Sequence, residues 1–182
     1  MSKYIRSQTP GATYFFTARL ADSRSTLLTD EVDLLRRCVR ETITRYPFAI
    51  DAIVILPAAI HTLWTLPEGD ADFSTRWSFL KSRFSRALPE PPGRTATQFK
   101  RSEKGIWQRR FWEHRIRSAH DLALHRTLIH TAPVQAGLVD RPSDWSWTSL
   151  HRELATSNAS ENASQPVRFS TMGLKTITPA DA

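Results

Sequence analysis

Two β-type runs joined by three residues constrain this chain more than any other feature. Residues 48–56 read FAIDAIVIL and residues 60–67 read IHTLWTLP, with only Pro57-Ala58-Ala59 between them. Both runs are dense in branched and aromatic side chains, and so short a connection makes them adjacent antiparallel strands with the break at Pro57. A lone hairpin is marginal in water, so the rest of the chain must cover it.

The flanking segments supply that cover. GATYFFTARL, after Pro10-Gly11, reads as a strand placed centrally in the sheet. TDEVDLLRRCVRETITRYP reads as an amphipathic helix: Thr29 or Asp30 caps it, apolar residues fall at 32, 35, 39 and 43, and Pro47 stops it. Asp72 caps a second helix, whose Phe73, Trp77, Leu80, Phe84 and Leu88 recur at spacings of four and three. IWQRRFWEHRIR is a strand-like run. Ser118 opens a third helix with Asp121 at the capping-box spacing, expected to bend or end near Pro133 and to be finished by Gly137. DWSWTSLHREL reads as a short closing helix. Polar, nearly neutral sequence then predicts a flexible tail over 153–182 behind a domain at 1–152. The order strand, helix, strand, strand, helix, strand, helix predicts an α+β fold, an antiparallel sheet packed with α-helices.

Charge narrows the function. The chain carries a formal +7, yet between Ser74 and Arg117 stand twelve Lys and Arg against three Glu, a local excess of nine. Positive potential is therefore concentrated on that segment, which favours a polyanionic partner. The candidate contacts are Arg76, Lys81, Arg83 and Arg86 on the second helix, followed by Trp107, Arg109, Arg110 and Arg115. The latter group interleaves cations with flat rings, a mixture able to hold phosphates while stacking bases. Solvated charges without a ligand are the plainer alternative. Alternate rings of the run are expected to point inward, with Phe111 or Trp112 the candidates, and PEPPGRTATQFKRSEKG before it reads as an exposed loop. The single cysteine, Cys38, excludes an internal disulfide and a cysteine-based zinc cluster, and with no apolar run of membrane-spanning length a cytoplasmic protein is expected.

At GATYFFTARL, FAIDAIVILP, IHTLWTLP, DADFSTRWSFLKSRFSRALP, GIWQRRFWEHRIR and APVQAGLV, in that order from about Tyr4 to Arg152, the chain resembles the REP-associated tyrosine transposases, a branch of the HUH single-strand DNA transposase superfamily. The resemblance implies an HUH, ferredoxin-like sheet and a DNA partner in the form of an imperfect hairpin with a short single-stranded flank. It also implies a divalent cation held by two histidines of an Asp-His-x-His strand motif, and a nucleophilic tyrosine in a helix motif Tyr-Ile-His-x-Asn-Pro-Val. The asparagine of that motif, one turn beyond the tyrosine, assists at the metal.

This chain departs from the pattern at the working positions. Its strand motif reads Ala58-Ala59-Ile60-His61, and its helix motif reads Leu128-Ile129-His130-Thr131-Ala132-Pro133-Val134. His61 remains, while Ala59, Leu128 and Ala132 stand where the first histidine, the tyrosine and the asparagine are implied. The only tyrosines, Tyr4, Tyr14 and Tyr46, all precede the strand motif.

One imidazole beside alanines cannot hold a magnesium or manganese ion, so no metal and no cofactor are expected. His61 is expected to be a half-buried strand histidine bonded to a neighbour. A substitute cluster among His114, His120, His125 and His130 is not expected, because His125 and His130 lie five apart and on different helix faces. Leu124 and Leu128 are expected to form one apolar stripe in the core, filling the former site together with Ala132.

The sequence thus points to a catalytically inactive DNA-binding pseudoenzyme, a domesticated regulator in the bacterial cytoplasm associated with the nucleoid. Its expected partner is hairpin, single-strand-flanked or duplex DNA, with no membrane; the oligomeric state is open. Two alternatives stand beside it: an active metal-dependent nickase or transposase using Glu113, His114 or His130, and an RNA- or protein-binding module with a basic face.

Overall fold

The computed structural model describes residues 9–89 and 104–156. The expected flexible tail lies outside the described residues from 157 onward, as does most of the loop between Leu88 and Lys104. A compact unit runs to His151, and of the unit that follows only residues 152–156, which are helical, are described. No helix among the described residues is long and apolar enough to cross a membrane.

Four strands form one antiparallel sheet: β1 (Thr13–Arg19), β2 (Ala49–Leu56), β3 (Ala59–Thr65) and β4 (Trp112–Arg115), in the spatial order β2-β3-β1-β4. The hairpin β2-β3 pairs Leu56 with Ala59 at its closed end, and β1 lies between β3 and β4 as a central strand. Each β-α-β connection therefore skips one strand, the split arrangement of ferredoxin-like folds.

Alternation along the strands sorts side chains onto two faces. Tyr14, Phe16 and Ala18 of β1 join Ile60 and Trp64 of β3 in the larger core, against α2 (Val32–Arg45) and α3 (Phe73–Ala87). A short helical turn, α1 (Leu27–Asp30), precedes α2, so the helical region starts earlier than expected, and Glu31 rather than Thr29 or Asp30 stands at the head of α2. In α3 every expected core position is buried, and Asp72 accepts a hydrogen bond from the Thr75 amide as its cap. Trp77 stacks on Trp64 with centroids 4.4 Å apart.

Phe15, Ala59 and Leu63 face the other way and meet α4 (Ala119–Gln135). The Ser118 hydroxyl accepts from the Asp121 amide and caps α4. Pro133 is carried inside the last turn, and the helix stops at Gly137, whose φ of 68° lets Gly137 N donate to Val134 O and Leu138 N donate to Pro133 O. The buried face of α4 is Ile129, Ala132 and Pro133, not the expected stripe: Leu124 is 56% exposed and Leu128 37% exposed.

Two further segments differ from expectation. IWQRRFWEHRIR is split, because a bridge at Leu20–Trp107 and strand β4 are separated by Arg109–Phe111, where Phe111 turns into the core beside Phe16 and Trp77. DWSWTSLHREL begins as an edge cover rather than a helix. Its Trp147 carbonyl accepts from Ile55 N, Ser149 N donates to Ile53 O, and the Trp145 indole donates to Ile55 O. The open edge of β2 thereby finds partners, and helical backbone resumes only at residue 150.

Candidate functional site

The sheet face under α4 holds the strand and helix motifs together. His61, at the centre of β3, is half-buried and shares a 2.8 Å hydrogen bond between its Nδ1 and Thr17 Oγ1 on β1. Its imidazole stacks almost parallel on Phe15, 6.0 Å centroid to centroid. Burial, and after it the charge of Arg19, lower its pKa from 6.5 to about 4, so the ring is neutral at neutral pH.

Around His61 the surface is apolar where the family motifs call for donors. Ala59 and Ala132 are each 6% exposed and lie in one cluster with Phe15, Leu63 and Ile129. Leu128 is on the outer part of α4, its side chain partly open to solvent. A single imidazole flanked by two methyl groups does not fit a magnesium- or manganese-class cation, which needs several oxygen or nitrogen ligands.

Of the two described tyrosines, neither lies in the cluster beside His61. Tyr14 points into the opposite core and its hydroxyl accepts from Thr9 N at 2.7 Å. Tyr46 packs edge-on against Phe79 at the end of α2.

The basic residues separate into engaged and exposed groups. Arg76 is a correction: its side chain is 3% exposed, and its guanidinium donates to Asp70 Oδ2 and Pro47 O at 2.7 Å and to Asp72 O at 2.8 Å. It fastens the start of α3 to the turn before β2 and is withdrawn from any DNA-facing set. The same guanidinium, through its hydrogen bonds, holds the Asp70 carboxyl below the usual carboxylate range.

Lys81 donates to Gln108 O at 3.0 Å with its ammonium near the rings of Trp107 and Phe111. Arg83 pairs with Glu41 of α2 at 2.7 Å, and Arg115 donates to Thr9 Oγ1. Arg86, Arg109 and Arg110 are exposed. Trp107 is half-buried against Phe84, whereas Trp112 is the exposed ring, 55% accessible, beside His114.

Sequence reasoning missed three features. Thr17 and Phe15, which hold His61, carry no motif and are identified only by strand register. Arg37, Arg40 and Arg45 line an open groove on the outer side of α2 with Glu41 and Thr44; the alternation of cations on the polar face of α2 was the signal available. His114 of β4 and Asp121 and His125 of α4 also converge, although histidine spacing alone argued against any such cluster.

A split β-α-β sheet with a histidine at the centre of β3 and a helix motif laid across the same face defines the class: an HUH-type, single-strand transposase-like domain. Comparison with known proteins refines this. The chain is 41% identical over 155 residues to the REP-associated tyrosine transposase of Escherichia coli K12, covering 85% of this chain and 86% of that protein. It is 43% identical over 159 residues to a Haemophilus influenzae protein ascribed to the same group, covering 85% and 88%. A solved structure of a REP-associated tyrosine transposase bound to a REP hairpin superposes with a TM-score of 0.76 at 38% identity, over 98% of this chain and all of the other. No family model matches the sequence. The chain belongs to the REP-associated tyrosine transposases.

Proposed function

We propose that this protein is a DNA-binding member of its family that has lost strand cleavage and joining, a pseudoenzyme acting as a regulator or binder of hairpin DNA with single-stranded flanks. The observation that carries the reading is the composition of the α4-facing site: Ala59, Leu128 and Ala132 replace the residues the family motifs place there, and His61 alone persists. Cleavage by such enzymes needs a nucleophile aligned within reach of phosphorus and a charge that stabilises the transition state. An aliphatic chain at 128 and methyl groups at 59 and 132 supply neither.

Support for the DNA ligand is independent of the lost chemistry. The solved relative holds a REP hairpin, and here the exposed Arg86, Arg109 and Arg110 with the open ring of Trp112 provide phosphate donors and a stacking surface.

The test is a synthetic hairpin with a single-stranded flank, incubated with the protein and manganese or magnesium. Retention of the hairpin without nicking and without a covalent protein–DNA adduct is expected. Ala59→His alone should stay inactive, because position 128 still has no nucleophile. Metal-dependent nicking by the unmodified chain would overturn the pseudoenzyme reading, and stronger retention of RNA than of the DNA hairpin would overturn the choice of ligand.

A further inference from the structure

We propose that His114, Asp121 and His125 form a binding site for a divalent transition metal of the zinc class, distinct from the family's cation position at 59, 61 and 132. Among the described residues this is the only group of three or more His, Cys, Asp or Glu whose ligand atoms converge, all lying within 4.8 Å of one another.

The site is assembled from two elements. Asp121 and His125 are one turn apart on α4 and so share a face, while His114 comes from β4, in register with Phe15 of β1. His114 Nε2 stands 3.0 Å from Asp121 Oδ2, and His125 Nδ1 stands 3.0 Å from Asp121 Oδ1. With zinc–ligand bonds of about 2.0–2.1 Å, the edge of a tetrahedral site is about 3.3 Å. Two of the three edges are therefore already close to length. A cation entering there takes the place of the hydrogen bonds that His114 Nε2 makes with the Asp121 carboxylate and His125 Nδ1 with the Asp121 backbone carbonyl; each neutral ring then carries its proton on the other nitrogen, and the two rings, stacked 4.6 Å apart, turn to converge on the ion.

The surroundings hold the three donors in place. Arg117 N donates to Asp121 Oδ2 at 2.9 Å, and the His125 ring packs on Phe15 with centroids 4.8 Å apart. Such fixed second contacts are what orient metal ligands. The rings are not sealed in: the His114 side chain is 31% exposed, which leaves a coordination position open to water or a phosphate oxygen beside Trp112.

Two imidazoles and one carboxylate favour zinc, cobalt or nickel over magnesium or calcium, which prefer all-oxygen surroundings.

The experiment uses the untagged full chain, stripped with a chelator and titrated calorimetrically with zinc sulfate and, in parallel, with magnesium chloride. One saturable zinc site of micromolar or tighter affinity is expected, with no comparable magnesium site. Zinc should also raise the melting temperature by several degrees. Asp121→Asn and His125→Gln should each weaken zinc at least about 10-fold, whereas His61→Gln should bind as the parent does. Because either variant could fail to fold, the unmodified protein is also probed by histidine carbethoxylation and mass spectrometry. Zinc should then protect His114 and His125 while His120 and His151 stay reactive. No saturable zinc binding, protection of other histidines instead of these two, or folded Asp121 and His125 variants that bind zinc like the parent would each overturn the proposal.

Discussion

His61, the motif histidine that this chain keeps, is part of the packing between β1 and β3. Bonded to Thr17 and stacked on Phe15, it is held neutral, with a pKa of about 4 against 6.5 for the free side chain. Protons therefore bind the unfolded chain more readily. The stability this confers is complete above about pH 6.5 and is lost as pH falls towards 4, by up to about 3 kcal/mol. His61→Gln keeps a hydrogen-bonding group beside Thr17 but does not titrate, so its urea midpoint should fall less than the parent's between about pH 7.5 and pH 4.5. Equal falls would mean that His61 is not the group sensing acid. Arg76 makes the complementary case among the cations. Replacing it by Met leaves Pro47 O and Asp72 O without their donor, and should cost about 3 kcal/mol, the lower end for a broken buried pair because Asp70 is partly exposed. Hairpin affinity of the folded fraction should not change; a selective loss of DNA binding at full stability would return Arg76 to the interface.

At the scale of elements, α4 decides what the protein can do, and it does so through the face it buries. Ile129 is fully buried under the sheet, so Ile129→Ala should destabilise by about 2–5 kcal/mol, while Leu124→Ala, at a position 56% exposed, should change stability by less than about 0.5 kcal/mol. Chemical denaturation of the two variants checks the assignment. The sequence alone suggested the opposite for Leu124 and Leu128, because apolar residues occur around most of α4 and periodicity cannot choose among several candidate stripes. Where signals are local, the sequence was readable: the β2-β3 hairpin, the Asp72 and Ser118 caps and the buried positions Phe73, Trp77, Leu80 and Phe84 of α3 all follow from neighbours within a few residues. Features made by tertiary pairing were not. The bulge at Asp51, whose carboxylate accepts from Arg126 of α4 at 2.7 Å, depends on where α4 lies. So does the meeting of His114 with Asp121 and His125, and the edge pairing of residues 147–149 depends on β2 needing a partner. The departures of Ala59, Leu128 and Ala132 from the family motifs were legible in the sequence; what surrounds His61 required the register of β1 against β3.

For the whole molecule the question is where the hairpin DNA proposed as its ligand would lie, since positive charge is present both around Arg109 and Arg110 and on the outer side of α2 at Arg37 and Arg40. These pairs permit a charge-matched comparison. Each phosphate contact releases counterions, so losing one lowers the slope of log affinity against log salt by about 0.7–0.9. If Arg109 and Arg110 both touch phosphate, their joint replacement by Ala should weaken hairpin binding and flatten the slope by up to about two contacts' worth. Joint replacement of Arg37 and Arg40 removes the same net charge from a surface outside the proposed interface. It should leave the slope within error and lower affinity only slightly through the long-range field, which salt screens over about 8–10 Å. Trp112→Ala serves as a third arm: a ring that stacks on a base is worth roughly 1–3 kcal/mol and carries no charge, so affinity should drop while the slope stays that of the parent. Fluorescence anisotropy with a labelled hairpin over a range of salt concentrations, after a thermal melt confirms that each variant is folded, separates the outcomes. A flattened slope in the Arg37/Arg40 variant with the Arg109/Arg110 variant unchanged would place the DNA on the outer side of α2. Equal flattening in both would mean that DNA contacts both basic surfaces and that the interface is wider than the segment around Arg109.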